Sequence, residues 1–260
     1  MENKEQKFEQ IYLDILKNHG INIINKIVIH RRISIVNDII SAYKLYRELR
    51  IIKPEIVHTF SPKGNLIGMI SSYFASVPNR IVSVGGHYYE SKQGLWKKIL
   101  MFFEGITYHY STVILVNSFH LKHEIINKYK SSSSKIRLLG YGATNGIDTD
   151  YFSFEDVSTN CINKQLQGIN YNQNDFIITY TGRINHDKGI KTIIESMKYI
   201  SNSNVRLFII GQIEKRGGYE ATFKKMIDKD PRIVHIPMQE DVKPFLAITS
   251  VYVHPSLREG

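Results

Sequence analysis

Short runs of β-branched residues alternate along the chain with longer stretches whose apolar positions recur every three or four residues. That alternation of strand and helix periods is the pattern of parallel sheets covered by helices. INKIVIH (Ile24–His30) reads as a strand and Asp38–Ile51 as a helix. EIVHTFS (Glu55–Ser61) is the next strand, ending in Ser-Pro-Lys-Gly. It is followed by a helix over Asn65–Ala75, rich enough in small residues to approach a sheet closely. RIVSV (Arg80–Val84), a helix over Leu95–Tyr110, TVILVN (Thr112–Asn117), a helix over Phe119–Tyr129 and KIRLLGYG (Lys135–Gly142) complete this half.

The pattern lapses after Gly142 into a polar, Asn-rich stretch of weak periodicity, which predicts a connection between domains. It resumes with strands at Asp175–Arg183, Asn204–Gly211, Arg232–Ile236 and Val251–Pro255, and with helices at Ile190–Tyr199, Glu220–Lys229 and Val242–Thr249. The expected organisation is therefore α/β, with a first domain over 1–145, a linker over 146–171 and a second domain over 172–260. Two parallel sheets would face each other across a cleft. Both sheets read as incomplete: the first opens without a convincing initial strand and glycine turn, and the second stops at its fourth strand.

Composition narrows the picture modestly. The 260 residues are 42% hydrophobic and 22% charged, the proportions of a folded soluble chain. The single cysteine, Cys161, excludes an internal disulfide framework and clusters of several thiolates. Residues 1–10 are charged and polar, unlike a secretory leader, and no apolar run approaches the roughly 18 residues of a membrane span. A cytoplasmic setting is expected. The net charge of +10 favours an anionic partner or a solvated basic surface. Its lysines and arginines are dispersed, with no helix-turn-helix, zinc-finger or RNA-recognition signature, so nucleic acid is not the expected partner.

TGRINHDKGI (Thr181–Ile190) carries the most chemistry. A strand runs into Gly182, where the backbone can approach a ligand. Arg183 and Lys188 then lie in the turn before a predicted helix start, a setting that suits phosphate. The competing reading is an ordinary basic turn. His109, His120 and His123 cluster in sequence, but no Cys, Asp or Glu at metal spacing accompanies them. LWKKILMFF (Leu95–Phe103) is basic and aromatic, which fits either a helix on a membrane surface or one buried against the sheet.

TGRINHDKGI together with HPSLREG resembles the carboxy-terminal half of the GT-B glycosyltransferases of family 4, which include capsule and exopolysaccharide enzymes. EIVHTFSPKGNLIG and YGATNGIDTDYF (Tyr141–Phe152) resemble the family's D-I-V-H-x-H-x-P-K and N-G-V-D segments in the expected order, so the likeness spans nearly the whole chain. The resemblance implies a GT-B fold of two Rossmann-like domains. It also implies a retaining transfer from a nucleotide-diphosphate sugar, UDP-linked, to a saccharide or polyprenyl-linked acceptor, with no metal or other cofactor. Peripheral contact with an anionic membrane at the inner face is a further expectation.

By the same resemblance, Gly182, Arg183 and Lys188 bind the donor diphosphate, and Glu259 is the first glutamate of an E-x7-E motif, near the donor sugar. The second glutamate of that motif would fall past Gly260, so the resemblance implies a chain cut within its donor site, with weak transfer activity. Two departures bear on the site. SVGGHYYE replaces the family's Thr-x-His-Gly turn, leaving His87 either delivered to the cleft as a catalytic group or placed as a solvated loop histidine. Pro237 stands where Gly is common, in the loop expected near the nucleobase. A GT-B UDP-N-acetylhexosamine epimerase and a non-catalytic remnant are the alternatives.

Overall fold

The computed structural model describes residues 4–30, 33–130, 133–143, 145–153, 157–169, 171–214 and 219–257. The chain divides into two units at residues 144 and 145, and each has its own sheet and core.

The first unit opens with helices α1 (Lys4–Asn18) and α2 (Ile35–Ile52). Strands β1 (Ile56–Thr59), β2 (Asn79–Val84), β3 (Val113–Val116) and β4 (Ile136–Leu138) follow. They are parallel and lie in the order β1-β2-β3-β4. Each crossover is a helix: α3 (Pro62–Phe74), α4 (Gly94–Tyr110) and α5 (Phe119–Tyr129). Val82, Val84, Ile114, Val116 and Ile136 are buried with Met69, Tyr108, Leu121 and Ile125 from those helices. The expected close approach of α3 is real. A Cβ on Gly68 would stand 2.3 Å from Thr59 Cγ2, so the helix could not pack there with a larger residue.

The expected strand Ile24–His30 does not form. Its β-branched composition is strand-like, but a strand needs a ladder partner. Within the sheet, β1 at the edge pairs with β2 alone. Segment 21–30 instead runs irregularly, with Ile21, Ile23, Ile24, Val28 and Ile29 exposed, and is tied to α2 through Ser41 Oγ, which donates to the Val28 carbonyl at 2.9 Å.

The second unit holds β5 (Phe176–Thr181), β6 (Val205–Ile210), β7 (Ile233–Ile236) and β8 (Val251–Tyr252), all parallel in the order β7-β6-β5-β8. Side chains of β6 alternate between two cores, as the period of a strand requires. Leu207 and Ile209 pack with Ile190, Ile193 and Phe223, from helices α7 (Ile190–Ser196) and α8 (Tyr219–Ile227). Phe208 and Ile210 pack on the opposite face with Leu166 and Phe245, brought by helices α6 (Thr159–Gln165) and α9 (Lys243–Ala247).

The stretch expected as a linker over 146–171 is therefore largely part of the second unit. Ile162, Leu166, Ile169 and Tyr171 join its core, and the Lys243 ammonium sits 3.7 Å over the Tyr151 ring. The apolar residues of its later part turn inward, whereas Ile147, Tyr151 and Phe152 stay exposed. No helix among the described residues is long and apolar enough to cross a membrane.

Candidate functional site

Strand order in the second unit reverses at β5: β6 lies on one side of it and β8 on the other. Open α/β sheets bind ligands beyond the carboxyl ends of their strands at such a reversal. The loops that leave β5, β6 and β8 meet at this edge. Gly182 leaves β5 at φ +147, and Gly211 leaves β6 at φ +150. A Cβ on Gly211 would stand 1.9 Å from the Gly182 carbonyl oxygen, so only glycine lets the two backbones approach so closely.

The loop over 182–189 is fixed by its own bonds. The Gly182 amide donates to the Ile210 carbonyl at 3.0 Å and the Ile184 amide to the Gln212 carbonyl at 2.9 Å. The Asn185 side chain bridges two partners, accepting from the Lys188 amide at 3.1 Å and donating to Glu214 at 2.9 Å. His186–Lys188 form one 3-10 turn, and Gly189 closes it at φ +65. Segment 253–257, after β8, lies directly on this loop. A Cβ on Gly189 would meet the Pro255 carbonyl oxygen at 1.9 Å, and the Leu257 amide donates to the Asp187 carbonyl at 2.8 Å.

Arg183 and Lys188 thus sit on one short rigid loop at the switch point. Arg183 is exposed there, with its carbonyl bound by the Tyr180 hydroxyl at 2.9 Å, and Lys188 is half-buried. Gly182, between β5 and Arg183, is exposed, and the Tyr180 hydroxyl fills the space where a side chain on it would lie. Such an arrangement presents two cations of different geometry, a planar fork and a point charge, to a bound anion. Glu259 lies outside the described residues.

His87 occupies neither expected position. It is 1% exposed, inside the first unit. Its Nδ1 lies 3.0 and 3.1 Å from the two oxygens of Glu104 on α4, and its Nε2 lies 3.5 Å from Glu124 on α5. The ring stacks on Tyr89 at 4.8 Å. Two carboxylates and an aromatic face draw the imidazole inward, so no surface of it is left for a substrate. The Tyr129 hydroxyl donates to Glu104 at 2.7 Å; burial first, and this hydrogen bond second, push its pKa well above that of an ordinary phenol. The Lys128 ammonium, 2.8 Å from Glu124, holds that carboxyl below the usual range. Sequence reasoning missed Glu104 and Glu124 because each is an unremarkable helical glutamate until the fold brings it to His87.

Elsewhere in the first unit, Lys63 of the Ser-Pro-Lys-Gly turn is tied to its own unit. The Lys63 ammonium donates to the His30 carbonyl at 2.6 Å and pairs with Asp38 at 2.6 Å. Among the described residues no three His, Cys, Asp or Glu side chains gather as a metal site would require.

The arrangement is that of the GT-B fold, whose two units are each built on a parallel sheet of the Rossmann kind. Residues 162–260 match the family described as Glycosyl transferases group 1. The chain is similar to the capsular polysaccharide biosynthesis glycosyltransferase CapM of Staphylococcus aureus, 33% identical over 94% of this chain and 64% of that protein. It is also similar to the UDP-Gal:alpha-D-GlcNAc-diphosphoundecaprenol alpha-1,3-galactosyltransferase of Escherichia coli, 26% identical over 88% of this chain and 59% of that one. Among solved structures, Anabaena HepE in complex with UDP superposes with a TM-score of 0.71 at 15% identity, over 95% of this chain and 64% of that chain. The chain therefore spans less than two thirds of the length of these relatives.

Proposed function

We propose that the protein is a glycosyltransferase that moves a sugar from a UDP-sugar to a saccharide or polyprenyl-linked acceptor in cell-surface polysaccharide synthesis. The observation that carries this reading is the 182–189 loop. It places Arg183 and Lys188 together at the switch point of the second sheet, inside the segment that matches the glycosyl transferases group 1 family. UDP is bound in the Anabaena structure, and a diphosphoundecaprenol acceptor is named for the Escherichia coli relative; both support the choice of substrates.

In this reading the Arg183 guanidinium and the Lys188 ammonium face the donor diphosphate and neutralise the charge that develops as it leaves. The group departs without a metal, and the sugar keeps its anomeric configuration. The resemblance assigns Gly182 to the donor diphosphate and Glu259 to the donor sugar. No proton passes through His87, which is enclosed by Glu104 and Glu124. The reaction takes place at the cytoplasmic face of the membrane, with peripheral contact to anionic lipid.

Loss of one preorganised charge-stabilising donor costs about 2.7–4 kcal/mol, or roughly 100- to 1,000-fold in turnover. Arg183→Ala and Lys188→Ala are expected to lose activity on that scale while remaining folded. The test is a transfer assay with a panel of UDP-sugars against lipid-linked and soluble saccharide acceptors, with the anomeric configuration of the product read by NMR. A retained α-linked product supports the proposal. Formation of an epimeric sugar, rather than hydrolysis, from a UDP-sugar in the absence of any acceptor would replace it with epimerisation.

A further inference from the structure

Tyr180, next to last in β5, is fully buried in the core that Ile184, Ile190 and Ile193 also build. A phenylalanine there would bury the same ring. A hydroxyl taken out of water costs free energy unless it is hydrogen-bonded, so this one needs a partner. It has one in the backbone three residues on, donating to the Arg183 carbonyl at 2.9 Å. The ring is itself stacked against the ring of His254, with centroids 6.0 Å apart and planes 19° from parallel.

The chain reaches this contact by turning at Gly182. At φ +147 that residue brings the Arg183 carbonyl back to the strand, and a Cβ on it would stand 2.7 Å from the Tyr180 hydroxyl oxygen. Three bonds then fix the backbone on both sides of Arg183. The Gly182 amide donates to the Ile210 carbonyl, the Ile184 amide donates to the Gln212 carbonyl, and the Arg183 carbonyl accepts from Tyr180. Only the last of these comes from a side chain. Lys188 is held separately, through its amide and the Asn185 side chain. A guanidinium on a long stem loses rotamer freedom when it meets an anion, and a fixed root lowers that cost.

We propose that Tyr180 is a positioning residue of the diphosphate site, its hydroxyl fixing the backbone at Arg183 and so setting the guanidinium for the anion. This rests on the functional reading above and adds to it a residue that acts through Arg183 without touching the ligand.

The test is a double-mutant cycle on the full chain with inorganic pyrophosphate, its affinity read by amide NMR and folding by the thermal midpoint. Tyr180→Phe keeps the ring and removes one hydrogen bond, so pyrophosphate should bind roughly three- to tenfold more weakly. In an Arg183→Ala background the same change should cost less than about twofold, because the group it positions is gone. In a Lys188→Ala background it should keep its full effect, since that cation has its own anchor. Unchanged affinity in Tyr180→Phe overturns the proposal, whether or not the midpoint falls. Equal weakening in all three backgrounds also overturns it, by making the hydroxyl a general support of the loop. A Tyr180→Phe chain that does not fold does the same. Wild-type protein that binds no pyrophosphate at residues 182–189 loses the functional reading, and this inference with it. Wild-type protein that binds it, with Tyr180 and Arg183 uncoupled, loses the positioning role alone.

Discussion

His87 has a carboxylate at each ring nitrogen and an aromatic ring against its face, and all of these partners come from the first unit. Removing one member of a buried polar set leaves the others unsatisfied, at about 1–3 kcal/mol. His87→Ala is thus expected to lower the urea midpoint of unfolding by an amount in that range, while leaving pyrophosphate binding by the second unit unchanged. A solvent-facing, catalytic His87 would leave the unfolding midpoint unchanged. Glu124 adds a pH signature. Its folded pKa is depressed, chiefly by the hydrogen bond from Lys128, so its contribution is present above the unfolded value and lost as pH falls through the folded one. The pair is partly exposed, and its worth is below about 1 kcal/mol. Glu124→Gln should therefore flatten the loss of stability below about pH 4, measured by denaturant titration over an acid series.

At the scale of elements, the loop over 182–189 depends on glycines that are not interchangeable. Gly189 has φ +65 and a carbonyl oxygen 1.9 Å from where its Cβ would lie, so alanine there adds a clash to the left-handed backbone cost of about 1–2 kcal/mol. Gly168 has φ +82 but open space around it, and alanine there meets the backbone cost alone. Thermal unfolding should show Gly189→Ala as the more destabilised of the two; equal values would mean that segment 253–257 does not hold the loop. Most elements were legible because helix and strand periods differ: α5 has the span that its pattern predicts, and β6 its alternation. Ile24–His30 was misread because composition reports the propensity of a segment and says nothing of its ladder partner. That Gly182, Arg183 and Lys188 share one loop was legible because they are close in sequence. The enclosure of His87 was not, since Glu104 and Glu124 come from two other helices.

The whole molecule is two parallel-sheet units of GT-B type, basic overall, spanning less than two thirds of the length of its curated relatives. The central claim is that the switch point of the second sheet receives a diphosphate on Arg183 and Lys188. Inorganic pyrophosphate tests it without calling on a nucleoside pocket. The measurement is a titration of the isotopically labelled protein with pyrophosphate, followed by amide NMR. The account predicts saturable shifts concentrated at residues 182–189, weakened about tenfold or more by either Arg183→Ala or Lys188→Ala, the loss of one charge-assisted contact of about 1.5–3 kcal/mol. Shifts confined to other residues, or undiminished in both variants, would contradict it.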